Sequence, residues 1–270
     1  MKVIFFSESQ IRGKVPRTFE NARTEYAWSI ALDAEWCPLG EEPLGKYDLG
    51  IVIIPKNNPN VDITKLREWC GKVAVMQEGP HWYFQDYTIE QQIWFYNTDG
   101  LVPRNEWGDG TMIGGNFVSW YGGFDSYMVA REIGNPISAP SMGRKQEQEN
   151  AIEDVQYLAY MSWREWITCL SQYNIGVHLM RTHAAGTFAM NCGFHGIPCI
   201  GYKGLDTQQI LHPLTTIEVG DLQGAKEIGR KLKDEKFYKL CSETTLKRFQ
   251  EYYTEEKWLE DWKILNGDNE

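Results

Sequence analysis

Residues 173–202 have the sequence YNIGVHLMRTHAAGTFAMNCGFHGIPCIGY, and this stretch decides the fold that we predict for the chain. Its apolar run at 175–180 predicts a strand that leads into a short loop at 181–185. A helix then opens at Gly186 and Thr187 and ends at Gly196, and a second strand follows Pro198. This succession is typical of a parallel α/β sheet.

The start of this predicted helix is suited to binding an anion. Glycine at position 186 lets a ligand approach the backbone closely, and the Thr187 hydroxyl can cap the helix or donate to the ligand. The first amides of a helix have no partners within it, and the macrodipole adds partial positive charge there. A diphosphate fits such a place, although an ordinary crossover with a glycine turn has the same pattern.

Strand-like and helix-like runs alternate along the whole chain, which predicts an α/β fold with two Rossmann-like lobes. In the first lobe, residues 1–110, we predict strands at 3–6, 49–54, 73–76 and 100–102 and helices at 18–32, 63–70 and 89–96. In the second lobe, residues 111–270, we predict strands at 112–115, 137–139, 175–180, 197–200 and 215–219. Its helices are predicted at 125–133, 163–173, 187–194, 206–211, 222–233 and 236–265. Two such units imply a cleft between them, with ligands at the carboxyl ends of strands.

Composition narrows the class of protein. Hydrophobic residues make up 42% of the chain, which is enough for packed cores, and no apolar run reaches the roughly 18 residues of a membrane span. The N-terminal apolar run is too short for a secretory signal, and the six cysteines form no zinc or CxxC pattern, so we predict buried thiols in a cytoplasmic protein. The net charge of −10 argues against a large nucleic-acid surface.

Residues 179–201 resemble the nucleotide-sugar segment of GT-B glycosyltransferases, especially the retaining enzymes of the glycogen-synthase and sucrose-synthase type. In that family an acidic residue and a Gly are followed by a Glu and then by Gly-x-Pro, a hydrophobic residue, Ile and Gly. The corresponding positions here are His183, Gly186, Asn191, Gly196, Pro198, Ile200 and Gly201. The resemblance extends over residues 155–265, implies a final helix that crosses back to the first lobe, and is only architectural over 1–110. We also expect a viral or environmental relative.

The resemblance implies roles for the residues of this motif. Two Glu separated by seven residues serve the donor in the family, the first near the donor sugar and the second at the ribose. His183 and Asn191 stand at these positions, so the resemblance places His183 at the sugar and Asn191 at the ribose. Because a neutral amide lacks the strength of a carboxylate, affinity, donor choice or activity is expected to differ. The diphosphate is expected on Ala185, Gly186 and Thr187.

Two further segments of the second lobe are donor-side candidates. In the segment GGNFVSWYGG, residues 114–123, Gly122 and Gly123 would let the loop cover the donor phosphates, although an ordinary turn has the same composition. Arg144 and Lys145 are adjacent cations that can neutralise a leaving diphosphate. The alternative is that they are a solvated pair on the surface. Ligand spacing for a metal is missing, so we predict no metal and no cofactor, with the nucleotide-sugar as donor substrate.

The first lobe supplies the remaining candidates. Glu78 and His81 follow the predicted strand at 73–76, and we predict that they act in catalysis at the sugar or acceptor, with a packed histidine as the alternative. The loop after the first strand corresponds to the acceptor loop of GT-B enzymes, and its candidates are Arg12, Gly13 and Lys14. We expect structural roles for the other histidines, which are His178, His195 and His212.

The predicted function is transfer of a sugar from a nucleotide-sugar to an unknown acceptor by a retaining, metal-independent glycosyltransferase. The acceptor classes left open are a glycan, a small molecule and a nucleic acid. One alternative is a catalytically altered GT-B-like protein that binds a nucleotide or glycan without transfer. Another is a different enzyme on the same architecture, such as a sugar-nucleotide epimerase.

Overall fold

The structure is a computed structural model that describes residues 1–19, 24–53, 64–77, 87–90, 100–118, 121–140, 147–181, 187–204 and 206–265. It divides into two compact units. The first unit combines Met1–Asp99 with Trp258–Glu270, and the second consists of Gly100–Lys257. The division therefore falls ahead of the predicted boundary near residue 110, and the end of the chain belongs to the first unit.

Residues 100–110 belong to the second unit because Arg104 ties them to it. The backbone N–H of Arg104 donates to Nδ1 of His195 at 3.1 Å. Its guanidinium donates, at 2.8–2.9 Å, to the carbonyl oxygens of Tyr173, His195 and Gly196 and to the hydroxyl of Tyr238. Hydrogen bonds between distant parts of the chain are not visible in the polar, loop-like sequence at 105–110 from which we predicted the boundary.

Five parallel strands in the described part of the first unit form a sheet in the order β2-β1-β3-β4-β5. They are β1 (Val3–Ser7), β2 (Glu35–Pro38), β3 (Tyr47–Ile53), β4 (Cys70–Gln77) and β5 (Tyr87–Glu90). All of β1 is buried and its sequence VIFFS is almost wholly apolar, as expected for a parallel strand covered on both faces. Helix α1 (Thr24–Ala31) follows β1, and a 3-10 helix at Thr64–Glu68 precedes β4.

The described part of the second unit contains a six-stranded parallel sheet in the order β11-β10-β9-β6-β7-β8. Its strands are β6 (Thr111–Ile113), β7 (Ile137–Ala139), β8 (Val155–Tyr157), β9 (Ile175–His178), β10 (Cys199–Tyr202) and β11 (Thr216–Ile217). Counted from the first strand of the unit, the order is 3-2-1-4-5-6, which is that of a Rossmann fold. The order reverses between β6 and β9, and ligands of such sheets bind at the carboxyl ends of the strands beside that point.

Helices cover both faces of this second sheet. They are α2 (Gly123–Ile133), α3 (Trp163–Leu170), α4 (Thr187–Phe194), α5 (Asp206–Leu211), α6 (Leu222–Lys231) and α7 (Glu235–Tyr252), and a 3-10 helix lies at Glu147–Ala151. Successive residues of a strand face opposite sides, so Ile175 and Val177 pack in one cluster with residues of α2 and α6. Gly176 and His178 face the other side, where they contact Phe188 of α4.

Helix α8 (Glu255–Leu265) completes the core of the first unit. Trp258 and Trp262 on α8 stack with ring centroids 5.3 Å apart, and Trp28 on α1 lies 5.3 Å from Trp258. The predicted return of the final helix to the first lobe is therefore confirmed. The single helix predicted at 236–265 is wrong, because the chain leaves α7 at Tyr253 and restarts where Thr254 Oγ1 accepts from the Lys257 N–H.

Several predicted elements are confirmed with the same bounds, namely the strand at 137–139 and the helices at 187–194 and 206–211. The strand predicted at 100–102 is wrong, since those residues form a turn and coil. The helix predicted at 89–96 is wrong at its first two residues, because Ile89 and Glu90 belong to β5 (Tyr87–Glu90), which pairs in parallel with β4. Residues 91–96 lie outside the described ones. Strands β2 and β8 were not predicted. The six cysteines are free thiols, as predicted.

Candidate functional site

Two strand ends and two helix starts meet at the carboxyl edge of the second sheet. Strands β6 and β9 are neighbours there, and the Gly114 N–H continues their ladder by donating to Val177 O at 2.9 Å. Helix α2 follows the loop that leaves β6, and α4 follows the loop that leaves β9. Phe188 in the first turn of α4 packs so close to Gly114 that a Cβ at position 114 would stand 2.4 Å from the ring.

The protein's own atoms occupy the space beside the glycines that precede α2. A Cβ at Gly122 would stand 1.9 Å from Leu179 O, and one at Gly123 would stand 2.4 Å from Asn116 O. Gly122 also has a φ of 64°, in the left-handed region that favours glycine. The glycines therefore let this loop pack tightly against the end of β9, and their predicted role at the donor phosphates stays a prediction.

Helix α4 carries two of the predicted donor residues on one face. Thr187 is its first residue and is half-buried, and Asn191 lies one turn later and is 5% exposed. Every residue from Phe188 to Phe194 is buried, so packing holds the helix on all sides. The first turn of α4 contains no acidic side chain, which leaves the partial positive charge of its N-terminus without an acid of its own helix.

The N-terminus of α2 is electrostatically different. Asp125 lies in its first turn and accepts from the Arg181 guanidinium at 2.6 Å, while the Tyr202 hydroxyl lies 3.5 Å away. The hydrogen bond with Asp125 raises the pKa of Arg181. Ser126 connects the same places, because its hydroxyl donates to Gly122 O and accepts from the Leu179 N–H. Hydrogen bonds of Asp125 and Ser126 thus connect the start of α2 to the ends of β9 and β10.

His178 is the last residue of β9 and is 7% exposed. Its ring packs edge-on against Phe188 with centroids 5.6 Å apart, and a Cβ at Gly115 would stand 3.3 Å from its Nε2. Among the described residues, neither ring nitrogen has a hydrogen-bond partner. Burial lowers the pKa of His178 to about 4, so the imidazole is neutral at neutral pH.

Asn116 is a second buried amide at this edge, next to Gly115 in the loop after β6. Its side-chain oxygen accepts from the Val118 N–H at 3.4 Å, whereas its Nδ2 has no partner in the part of the chain that the structure describes. At 6% exposure the side chain is as buried as that of His178. Unsatisfied buried groups are uncommon in folded proteins, and here two stand beside the point where the strand order reverses.

His195 and His212 have the contacts of structural residues, as we expected. Nε2 of His212 lies 2.8 Å from Ala189 O, and its Nδ1 lies 3.1 Å from Thr245 Oγ1. Nε2 of His195 lies 2.8 Å from Ile167 O, and its Nδ1 accepts from the backbone of Arg104. Burial also lowers the pKa of each to about 4.

Seven of the predicted site residues lie outside the described ones, and their roles stay predictions. They are Glu78, His81, Arg144, Lys145, His183, Ala185 and Gly186. The residues at the edge that the sequence did not single out are Asn116, Asp125 and Arg181, and for His178 it predicted only a structural role. Of these, Arg181 had a usable signal, because it directly follows the central strand in the stretch that decides the fold.

The candidates in the loop after β1 are tied to the first unit by ion pairs and ladder bonds. Arg12 pairs with Glu41, and Lys14 pairs with Asp33. Gly13 extends the sheet edge, because its N–H donates to Trp36 O and its carbonyl accepts from the Trp36 N–H. These contacts explain the order of the loop, and an acceptor role for Arg12, Gly13 and Lys14 stays a prediction.

Across the residues that the structure describes, no group of three or more His, Cys, Asp or Glu side chains is arranged to hold a metal ion. Likewise, none of the helices within the described ranges combines the length and apolarity that crossing a bilayer demands.

Comparison with known proteins gives matches among solved structures, whereas no family model and no curated protein matches the chain. AviGT4, a glycosyltransferase involved in avilamycin A biosynthesis, matches with a TM-score of 0.61 and 11% identity over 99% of each chain. Sucrose-phosphate synthase from Thermosynechococcus elongatus matches with a TM-score of 0.58 and 11% identity over 100% of both chains. The pneumococcal O-GlcNAc transferase GtfA, solved with UDP and GlcNAc, has a TM-score of 0.57 and 12% identity over 81% of this chain.

Several matched structures are much longer than this protein, which spans 51–57% of the length of four of them, GtfA included. At 11–12% identity the matches establish the fold. The chain has the GT-B fold of glycosyltransferases, with two Rossmann-like lobes. The architectural resemblance of residues 1–110 is thereby confirmed along with that of the second lobe.

Proposed function

We propose that this protein is a glycosyltransferase that moves a sugar from a nucleotide-sugar donor to an acceptor. The observation that carries the proposal is the start of α4, which begins at Thr187 beside the reversal point of the second sheet and has no acid in its first turn. Nucleotides bind at this point in Rossmann folds, with their phosphates at a helix N-terminus. The GT-B fold supports the same reading.

The charges at the edge favour α4 over α2 as the diphosphate site. An anion at a helix N-terminus gains about 0.3–1 kcal/mol when exposed and up to about 2 kcal/mol when partly buried. At α2 the Asp125 carboxylate already takes this interaction and repels a second anion. The first turn of α4 has no such carboxylate, so the favourable interaction with the helix N-terminus is available to an anionic ligand.

Cations complete the proposed diphosphate site. Arg181 follows β9, and its side chain is 53% exposed although it pairs with Asp125, so it can share its donors with a phosphate. Arg144 and Lys145 are proposed to neutralise the same group, as their sequence context predicts. Donors already in place as negative charge develops on the departing nucleotide diphosphate lower the barrier to transfer.

The remaining roles follow the sequence prediction. Asn191 is proposed at the ribose and His183 at the donor sugar, with Ala185, Gly186 and Thr187 at the diphosphate. Glu78 and His81 are proposed to act at the reacting sugar or acceptor, and the loop with Arg12, Gly13 and Lys14 to contribute to acceptor binding. We propose a retaining, metal-independent reaction, in which cations and amides serve the leaving group.

A binding protein without transferase activity is the second candidate. The observation that favours it is the neutral side chain of Asn191, at a position where the family that it resembles has a carboxylate. An amide makes weaker hydrogen bonds to hydroxyls than an ionised carboxylate does. A nucleotide would then bind at α4 and no sugar would be transferred.

Titration calorimetry with uridine, guanosine and adenosine diphosphates tests the proposal directly. We expect at least one to bind, and we expect Gly186→Val to abolish that binding because the added side chain obstructs approach to the amides. Gly45→Val, in a loop of the first unit, is the matched control and should bind like the unchanged protein. Binding of none of the three, or unchanged binding in Gly186→Val, contradicts the site. Binding without hydrolysis or transfer of any nucleotide-sugar favours the second candidate.

A further inference from the structure

The three buried histidines of the second unit differ in one respect. His178, His195 and His212 are 7%, 3% and 1% exposed, so their burial is nearly the same. Both ring nitrogens of His195 and of His212 have partners within 3.1 Å. Neither nitrogen of His178 has a partner within the described ranges. A buried polar group without a partner destabilises the fold. The presence of His178 at this position is therefore not explained by a contribution to stability.

The position of His178 connects it with the proposed donor site. It ends β9, and its ring lies against Phe188 in the first turn of α4, one residue after Thr187. Its Nε2 faces Gly115, and the next residue, Asn116, has an unpaired Nδ2. Two unsatisfied side chains thus lie at the point where the strand order reverses, one at the end of β9 and the other in the loop after β6.

We propose that His178, together with Asn116, is a neutral hydrogen-bonding site for a hydroxyl group of the donor's carbohydrate, on either the ribose or the transferred sugar. This inference rests on the proposed function and deepens it. The two residues bind and orient the donor, while the diphosphate is held by α4 and by the cations.

The chemistry of the two side chains favours a hydroxyl over a phosphate. The Nε2 of a neutral imidazole either donates its N–H or accepts through its lone pair, depending on the tautomer, and a hydroxyl can take the matching role in both cases. A phosphate oxygen only accepts, so it can use the N–H of one tautomer alone, and it would gain a charge-assisted hydrogen bond only if the ring were protonated. Burial opposes that protonation. The Asn116 amide adds N–H donors to the same uncharged site.

The test combines affinity with thermal unfolding in His178→Leu, His178→Gln and Asn116→Ala, with His212→Leu as the matched control. The probes are uridine, guanosine and adenosine diphosphates, their 2′-deoxy forms and their glucose conjugates. His178→Leu should lower the affinity for the best-binding probe about five- to tenfold, which is the effect of losing one neutral hydrogen bond. His178→Gln should recover part of that affinity. If the substitution lowers the affinity for the diphosphate but not for its 2′-deoxy form, the partner of His178 is the ribose hydroxyl. A loss seen only with the glucose conjugate assigns the sugar.

Thermal unfolding separates a ligand-binding role from a structural one. His178→Leu should raise Tm by about 2–4 °C because it removes an unsatisfied group, whereas His212→Leu should lower Tm because it breaks satisfied hydrogen bonds. A fall in Tm for His178→Leu with unchanged affinity overturns the inference and leaves the proposed function standing. Absence of any binding by the unchanged protein overturns both.

Discussion

The two units bury different kinds of side chain. In the first unit the core cluster is aromatic, with Phe5 stacked on Trp36 at 5.1 Å and Trp28 packed on Trp258. In the second unit three imidazoles lie among apolar residues, and hydrogen bonds satisfy two of them. The stability of an aromatic core does not depend on pH. A buried neutral imidazole makes the free energy of unfolding fall in acid, because the same histidine binds a proton in the unfolded state. The comparison therefore predicts different responses to acid, mutation and ligand.

Acid should have the largest effect, and it should act on the second unit. The pKa of His178, His195 and His212 is lowered to about 4 in the folded protein, against about 6.5 when unfolded. The unfolded state therefore binds more protons below pH 6.5, and stability falls as the pH drops from 6.5 towards 4. Each histidine accounts for about 3 kcal/mol over that window.

Hydrogen exchange read by mass spectrometry at pH 7, 5.5 and 4.5 can locate this loss. Protection should fall first in β9, α4 and α5 and persist longer in β1 and β3, because the described residues of the first unit include no histidine. Equal loss of protection in both units across this window would contradict the assigned cause.

Gly122→Ala should have the next largest effect. The new Cβ would stand 1.9 Å from Leu179 O, at a φ of 64°, so α2 must separate from the end of β9. We expect a loss of more than about 4 kcal/mol in the free energy of unfolding, measured by urea titration. Gly134→Ala, at the other end of α2, has a φ of 83° and no atom within 4 Å of the added Cβ. It should cost only about 1–2 kcal/mol from backbone strain, and equal costs would show that the clash is relieved cheaply.

Trp258→Ala should destabilise the first unit by about 3–5 kcal/mol, the usual range for removing a large buried aromatic side chain. Trp258 is fully buried between Trp28 and Trp262. Its replacement leaves a cavity in the aromatic cluster, and the nearby Leu259, only partly buried, is a matched site for a milder substitution. The measurement is urea unfolding followed by tryptophan fluorescence. A loss below 1 kcal/mol would mean that α8 contributes little to this core.

Asp125→Asn should have the smallest effect and the opposite sign. Removing the carboxylate frees Arg181 and eliminates a negative charge near the proposed diphosphate site. We expect nucleoside diphosphates to bind about two- to fivefold more tightly at low salt, with the gain shrinking as salt is added. Asp154→Asn is the control, because Asp154 pairs with Arg131 just before β8, at the amino ends of the strands. Weaker binding in Asp125→Asn would mean that the pair positions Arg181 for the ligand.

The sequence predicted the helices and strands whose pattern is locally complete. Thr187–Phe194 was found with its bounds because glycine and proline frame it. Strand β2, with the sequence EWCP, was missed because four residues with a proline carry little periodicity, and its pairing with β1 is a long-range contact. The last two residues of β5, Ile89 and Glu90, were predicted as helix because the apolar residues that follow them match a helical period.

The candidate site was predictable to a different degree in its parts. The helix start at Thr187 follows from glycine, threonine and an apolar run that are adjacent in the sequence. The pairing of Asp125 with Arg181 joins residues 56 positions apart, so no local pattern announces it. For His178, the sequence predicts burial from the apolar strand around it, but whether a buried nitrogen finds a partner depends on which loops pack above it.

The first unit is built from two segments that are far apart in the sequence, and this affects the order in which the two units can fold during synthesis. Met1–Asp99 leaves the ribosome before the second unit, yet its core lacks Trp258 and Trp262 until α8 has emerged. The second unit, Gly100–Lys257, is synthesised later but is complete earlier, so it can fold while the first unit still exposes the apolar surface of α1. A stalled chain that ends at Lys257 and is held outside the ribosomal tunnel by a linker should therefore have a folded second unit and an N-terminal sheet open to chaperones.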